Sequence, residues 1–154
     1  MYRPNQNRQN NSAYTDGIIA VSAGGKSKDA HLAMGGFMQV ESGGIAENTG
    51  VMYDAILGVA PGGVVKNTSL GIGGVMGVSS GGVASGTDIE HGFMEISSGG
   101  SASNTEVAGG LVINRGGTAQ FSVLEDGSPI VLSGIGIRSV KLLCKSLIKN
   151  SVNK

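Results

Sequence analysis

The stretch VSSGGVASGTDI, Val78 to Ile89, decides the fold because the chain repeats it. ISSGGSASNTEV follows at Ile96 to Val107. Before it come VESGGIAENTGV at Val40 to Val51 and VAPGGVVKNTSL at Val59 to Leu70. A weaker first copy reads VSAGGKSKDAHL, and a weak last copy reads NRGGTAQFSVL. The Gly pairs begin at Gly24, Gly43, Gly62, Gly81, Gly99 and Gly116, at spacings of 19, 19, 19, 18 and 17. A fixed period of this length marks a stacked-repeat architecture, in which each unit is too small to bury a face alone.

The columns of the repeat carry physical meaning. Asn48, Asn67, Gly86 and Asn104 share one position, and Asn and Gly are the residues that tolerate a left-handed backbone, so the column predicts a bend. Thr49, Thr68, Thr87 and Thr105 come next, and two positions later stand Val51, Leu70, Ile89 and Val107. Ala46, Val65, Ala84 and Ala102 form a small column expected to face inward. Ahead of each Gly pair lies FMQV (37–40), ILGV (56–59), VMGV (75–78) or FMEI (93–96), apolar at its second and fourth positions. That alternation marks a half-buried strand.

Stacking the units at a strand spacing of ~4.8 Å sets like residues above like. The expected fold is all-β: a single-stranded right-handed parallel β-helix, or β-solenoid, of about six coils of ~19 residues. Helical repeats fit poorly, because each Gly inside a helix costs about 1 kcal/mol. The repeats are expected to fill residues 17–127. Residues 1–16, rich in Asn, Gln, Arg and Ser, are expected to be a disordered lead-in. Residues 128–154 leave the repeat and are expected to form a basic amphipathic C-terminal cap or tail, helical or irregular. Ser139 would cap a helix through VKLLCKSLIKN that covers the last open rung.

Composition narrows the function classes. The 154 residues contain 28 Gly, no Trp and one Cys, with 14% charged residues and 40% apolar ones. Neither a disulfide scaffold nor a highly charged disordered chain has that profile. Collagen needs Gly at every third position, which the spacing excludes. The net charge of zero divides unevenly: residues 1–133 hold six basic against eleven acidic residues, and residues 134–154 hold five basic and none acidic. A body of charge −5 is a poor match for nucleic acid, and no such partner is expected. No apolar run approaches the ~20 residues of a spanning helix. The opening MYRPNQNRQNNSAY lacks the apolar core of a secretory signal, so export is expected only as part of a longer protein.

Residues capable of chemistry are sparse. His31 and His91 fall in different columns, so stacking does not pair them into a metal site. Cys144 has no evident partner and reads as a structural thiol. Parallel β-helices include polysaccharide-cleaving enzymes, and the candidate carboxylates for such chemistry are Asp54, Asp88, Glu90, Glu95 and Glu106. Asp88 and Glu106 should stack, but exposed carboxylates in such a row usually only face solvent. GIGGVMG at 71–77 mimics a dinucleotide-binding pattern only as part of the repeat. A single Thr ladder lacks the paired Thr columns of an ice-binding face, and cross-strand pairing explains it. No catalytic, cofactor-binding or metal site is expected, and the chain is not expected to be an enzyme.

The unit VSSGGVASGTDI, with ISSGGSASNTEV beside it, resembles the AIDA-type repeat of bacterial autotransporter adhesins over roughly residues 17–126. That resemblance implies an extracellular passenger β-helix, at the cell surface or secreted. It implies adhesion to host cells or aggregation with neighbouring bacterial cells, and self-association is compatible with it. Some members of that family carry heptose on Ser and Thr. By that analogy Ser42, Ser80, Ser98, Thr49, Thr68, Thr87 and Thr105 are candidate O-glycosylation sites. Ala23, Ala30 and Pro61 depart from the pattern. The alternative is a structural β-helix, phage-type or intracellular, with no adhesive role.

Overall fold

The computed structural model describes residues 7–9, 12–124, 130–132 and 137–140. The chain winds as a β-solenoid with two parallel strands per coil, a short one and a long one. Coil 1 runs from Ile18–Val21 to a long strand interrupted at the bend, Lys26–Lys28 and His31–Ala33. Coil 2 is Phe37–Val40 and Ile45–Val51, and coil 3 is Ile56–Val59 and Val64–Leu70. Coil 4 is Val75–Val78 and Val83–Ile89, and coil 5 is Phe93–Ser97 and Ser101–Val107. Coil 6 is Leu111–Arg115 and Thr118–Leu124. Every pairing between successive coils is parallel, so short strands build one sheet and long strands the other. At ~4.8 Å per step, six coils make a stack about 24 Å from first rung to last.

Period-2 alternation sets what lies inside. Met38, Leu57, Met76 and Met94 are in register on the short sheet and fully buried, with Val40, Val59, Val78 and Ile96 stacked beside them. Val51, Leu70, Ile89 and Val107 form the matching column of the long sheet, also fully buried. Ala46, Val65, Ala84 and Ala102 complete a narrow core. Each layer rests on a near copy of itself, so a truncated side chain leaves a gap that only the coils above and below could fill.

Two kinds of corner close each coil. At the Gly pair a four-residue turn brings the second Gly N–H back to the carbonyl three residues earlier, as in Gly44 to Glu41 at 2.9 Å. The first Gly of the pair takes a positive φ, 74° at Gly43, and its N–H donates to the equivalent Gly of the next coil, Gly62, at 2.9 Å. The second Gly is required for a different reason. A Cβ on Gly44 would run into the carbonyl oxygen of Val21 in the coil beneath. Pro61 occupies the second position of its turn, where a fixed φ is favoured, so this departure from the repeat suits the corner. The long strand bends midway at Asp29, Asn48, Asn67, Gly86 and Asn104, all at φ between 51° and 68°. The Asn/Gly column therefore marks a left-handed bend, as its composition predicts.

The shrinking period also has a structural cause. Coils 3 and 4 enter through four-residue connections, 52–55 and 71–74, whereas coils 5 and 6 enter through three residues each, Glu90–Gly92 and Ala108–Gly110. The last Gly corner, Gly116–Gly117, loses one further residue, and the long-strand register slips around Thr105.

Short strands are described at both ends. Within residues 1–16, expected as a disordered lead-in, two three-residue strands are described. Asn7–Gln9 pairs with Lys26–Lys28, and Ser12–Tyr14 pairs with His31–Ala33, as a partial coil beneath coil 1. A polar strand needs little burial of its own when a neighbouring rung supplies its hydrogen bonds, and Ala13 still reaches the core. At the other end Ile130–Leu132 and Ile137–Val140 continue the two sheets past residue 127. Ser139 and Val140 lie in a strand, so the helix expected to start there does not begin at Ser139. The rest of that expected cap, with Cys144, lies outside the described residues.

Candidate functional site

The sites expected from the sequence separate into two groups by burial. Ser42, Ser80 and Ser98 sit at the Gly corners, exposed, each just ahead of the left-handed Gly. Two successive coils, 4 and 5, present Ser80 and Ser98; Pro61 interrupts the row at coil 3. The Thr column is the opposite. Thr49, Thr68, Thr87 and Thr105 have at most 1% of their surface exposed, so the folded coil offers no access to their hydroxyls. The expected modification sites at the four Thr positions are therefore closed in this structure, and the three Ser positions are open. The cause is local: Thr49 and Val51 are two residues apart in one strand and point to the same side.

The titratable groups do not gather. His31 lies on the long sheet beside Gly50, and His91 lies in the connection into coil 5. Among the described residues no cluster of three or more His, Cys, Asp or Glu could hold a metal ion. Asp88 and Glu106 are register partners on the outer long face, as stacking requires. Glu95 is held by Arg115 at 2.8 Å, and Asp54 and Glu90 sit in exposed connections. Nearer the N-terminus Glu47 lies between Lys26 at 3.1 Å and Lys66 at 3.9 Å, a three-coil charge row at the surface. Such exposed pairs contribute little stability, so this row is a feature of the surface rather than of the core.

One surface escapes motif reading. Ile18, Phe37, Ile56, Val75 and Phe93 stack in register along the outer side of the short sheet. Beside them Met34, Tyr53 and Ile72 stand at the tips of the connecting turns, 63%, 54% and 64% exposed, and Ile18 is 76% exposed. Together they form an apolar ridge along one edge of the rod. The row next to it on the same face is Gln39, Gly58, Gly77 and Glu95, bare at Gly77 and crossed at Gly58 by the Gln39 side chain. The first position of each short strand could have revealed the ridge: its residues are apolar in the sequence yet lie out of phase with the buried second and fourth positions.

With this geometry in place, comparison with solved structures gives a likeness of fold. The fold is similar to that of the crystal structure of the TibC-catalysed hyper-glycosylated TibA55-350 fragment, with a TM-score of 0.57. The match covers 86% of this chain and 74% of that one at 22% sequence identity. At that identity the likeness concerns the fold. No family model matches the sequence, and no curated protein matches it.

Proposed function

We propose that this chain is a segment of an autotransporter-type passenger, a non-enzymatic surface module for adhesion or cell–cell aggregation. The observation that carries the reading is the regular coil whose repeat, VSSGGVASGTDI, resembles the AIDA type. It is supported by the fold likeness to the hyper-glycosylated TibA55-350 fragment. A solenoid suits this task for a physical reason. It holds outward side chains in straight rows at fixed spacing, so weak contacts repeat along the rod and add up by multivalency. The apolar ridge and the exposed Ser corners are the two rows available for such contacts.

Glycan attachment belongs to the same reading. Of the seven candidate hydroxyls, Ser42, Ser80 and Ser98 are those a transferase would reach on the folded coil. A sugar there would project from the Gly corner without disturbing the core. Partners on this view are host-cell surfaces or neighbouring bacteria, and the location is the cell surface when the chain is part of an exported protein.

The test is to display the chain on a non-adherent bacterium, fused between a signal sequence and a translocating β-barrel. Settling of the culture and binding to epithelial cells are then measured. The reading expects faster settling or increased binding against a display control of equal expression. Displayed, folded protein with neither property would contradict it.

A further inference from the structure

The inner side of the left-handed bend carries a row of hydroxyls that packing alone does not explain. In coils 2 to 5 Thr49, Thr68, Thr87 and Thr105 point inward just after the bend. Facing them across the bend are Ala46, Val65, Ala84 and Ala102. Coil 1 reverses the arrangement. Ser27 takes the position of Ala46, and Ala30 takes that of Thr49. Each of the five coils therefore places one hydroxyl at this corner, although its column changes. A corner selected only for dry packing would have no reason to restore the hydroxyl on the other side when Thr becomes Ala.

All five hydroxyls are buried, at 0–2% exposure, and none has a hydrogen-bond partner among the protein's atoms. They cannot satisfy one another, because successive rungs are ~4.8 Å apart and an O–H···O bond needs about 2.8 Å. Buried hydroxyls are nearly always partnered, by protein or by ordered water. An oxygen placed beside the midpoint of a ~4.8 Å step lies about 2.8 Å from both hydroxyls. A hydroxyl has one donor and two acceptor sites, so each can serve the rung above and the rung below. The residues opposite are Ala at four of the five coils, Ala30, Ala46, Ala84 and Ala102, and Val65 faces Thr68 in coil 3.

We propose that this corner is a water-binding site: a file of bound water molecules runs along the inside of the bend, each shared between the hydroxyls of successive coils, from Thr49 through Thr68 and Thr87 to Thr105, with Ser27 offering the hydroxyl of coil 1 on the other side of the bend. The file replaces direct hydrogen bonds that the coil spacing forbids. It also fixes the coil spacing at the bend, because each molecule bonds two rungs. The interior is then apolar on one side and hydrated on the other.

The test uses the full chain and water oxygen-17 magnetic relaxation dispersion, which reports waters held longer than the protein's tumbling time. The wild type should show such waters. Thr68→Val keeps the shape and removes the central hydroxyl, so the dispersion amplitude should fall by the equivalent of one to two waters. The double variant Ala46→Ser with Thr49→Ala moves a hydroxyl to the side that coil 1 uses and should retain the wild-type amplitude. Equal amplitudes for wild type and Thr68→Val would overturn the proposal. Should Thr68→Val fail to fold, an atomic-resolution crystal structure of the wild type decides. A density peak bridging Oγ1 of Thr49 and Oγ1 of Thr68 supports the file, and a corner filled by side chains without a peak overturns it.

Discussion

Asn67 donates from Nδ2 to Oδ1 of Asn48, 3.2 Å away and 19 residues earlier in the chain. Asn48 donates in the same way to Oδ1 of Asp29 at 2.9 Å. The three side chains form a ladder over three coils, each at a residue with positive φ. Coil 4 breaks it with Gly86, which keeps the bend at φ 68° but has no amide to offer.

The ladder separates two contributions at one position. Asn48→Gly preserves the left-handed bend and removes both side-chain bonds, which should cost about 1 kcal/mol at this exposed site. Asn48→Ala removes the bonds and also pays about 1–2 kcal/mol for a left-handed alanine, so it should be the more destabilised. Gly86→Asn extends the ladder and should raise stability by up to about 1 kcal/mol, since Asn67 Oδ1 can turn to meet the new side chain. Urea unfolding of the three variants checks the order.

Gly74 and Gly77 lie three residues apart and should respond in opposite directions. A Cβ at Gly74 meets the backbone oxygen of Val51, which the coil beneath cannot move without losing its rung. Gly74→Ala should therefore cost about 3 kcal/mol or more, as overpacking against backbone does. Nothing lies within 4 Å of a Cβ at Gly77. Gly77→Ala should stabilise by about 0.4–1 kcal/mol by restricting the unfolded chain. Thermal melts of the pair give the comparison directly.

The core column predicts a third result. Leu70 is fully buried between Val51 and Ile89. Leu70→Ala should cost about 2–5 kcal/mol, toward the upper part of that range because neighbouring rungs are pinned by their ladders and close the gap poorly. Chemical denaturation with a two-state check is the measurement.

These positions show what the sequence makes legible. Gly-pair spacing and the Val51, Leu70, Ile89 and Val107 column give the coil, because a stacked fold repeats its constraints in every unit. The Asn/Gly column gives the bend, because few residues tolerate that φ. The direction of Thr49 follows from its distance to Val51, an argument stronger than the chemical attraction of a hydroxyl as a modification site. The hydroxyl exchange at Ser27 and Ala30 is hidden in the weakest copy and emerges only when both sides of the bend are seen together. The pairing of Ser12–Tyr14 with His31–Ala33 is not legible in composition, because the partner strand, not the polar segment itself, supplies the hydrogen bonds.

Burial predicts the modification pattern as well. On co-expression with a heptosyltransferase that acts on AIDA-type passengers, peptide mapping by mass spectrometry should find sugar on Ser42, Ser80 or Ser98. It should find none on Thr49, Thr68, Thr87 or Thr105 when the folded protein is the substrate. Sugar confined to the Thr column would show that modification precedes folding and that the exposed corner is not its determinant.

Register is the foundation of all these expectations, and engineered disulfides test it most directly. Lys66, Ser85 and Ser103 are successive outward partners on the long face. At ~4.8 Å between neighbouring rungs, their Cα separations suit a disulfide for adjacent coils and exceed its reach for alternate ones. In a Cys144→Ser background, Lys66→Cys with Ser85→Cys, and Ser85→Cys with Ser103→Cys, should cross-link under mild oxidation. Lys66→Cys with Ser103→Cys should remain reduced as a monomer. Cross-linking of the alternate pair with no bond in either adjacent pair would contradict the stacked coil.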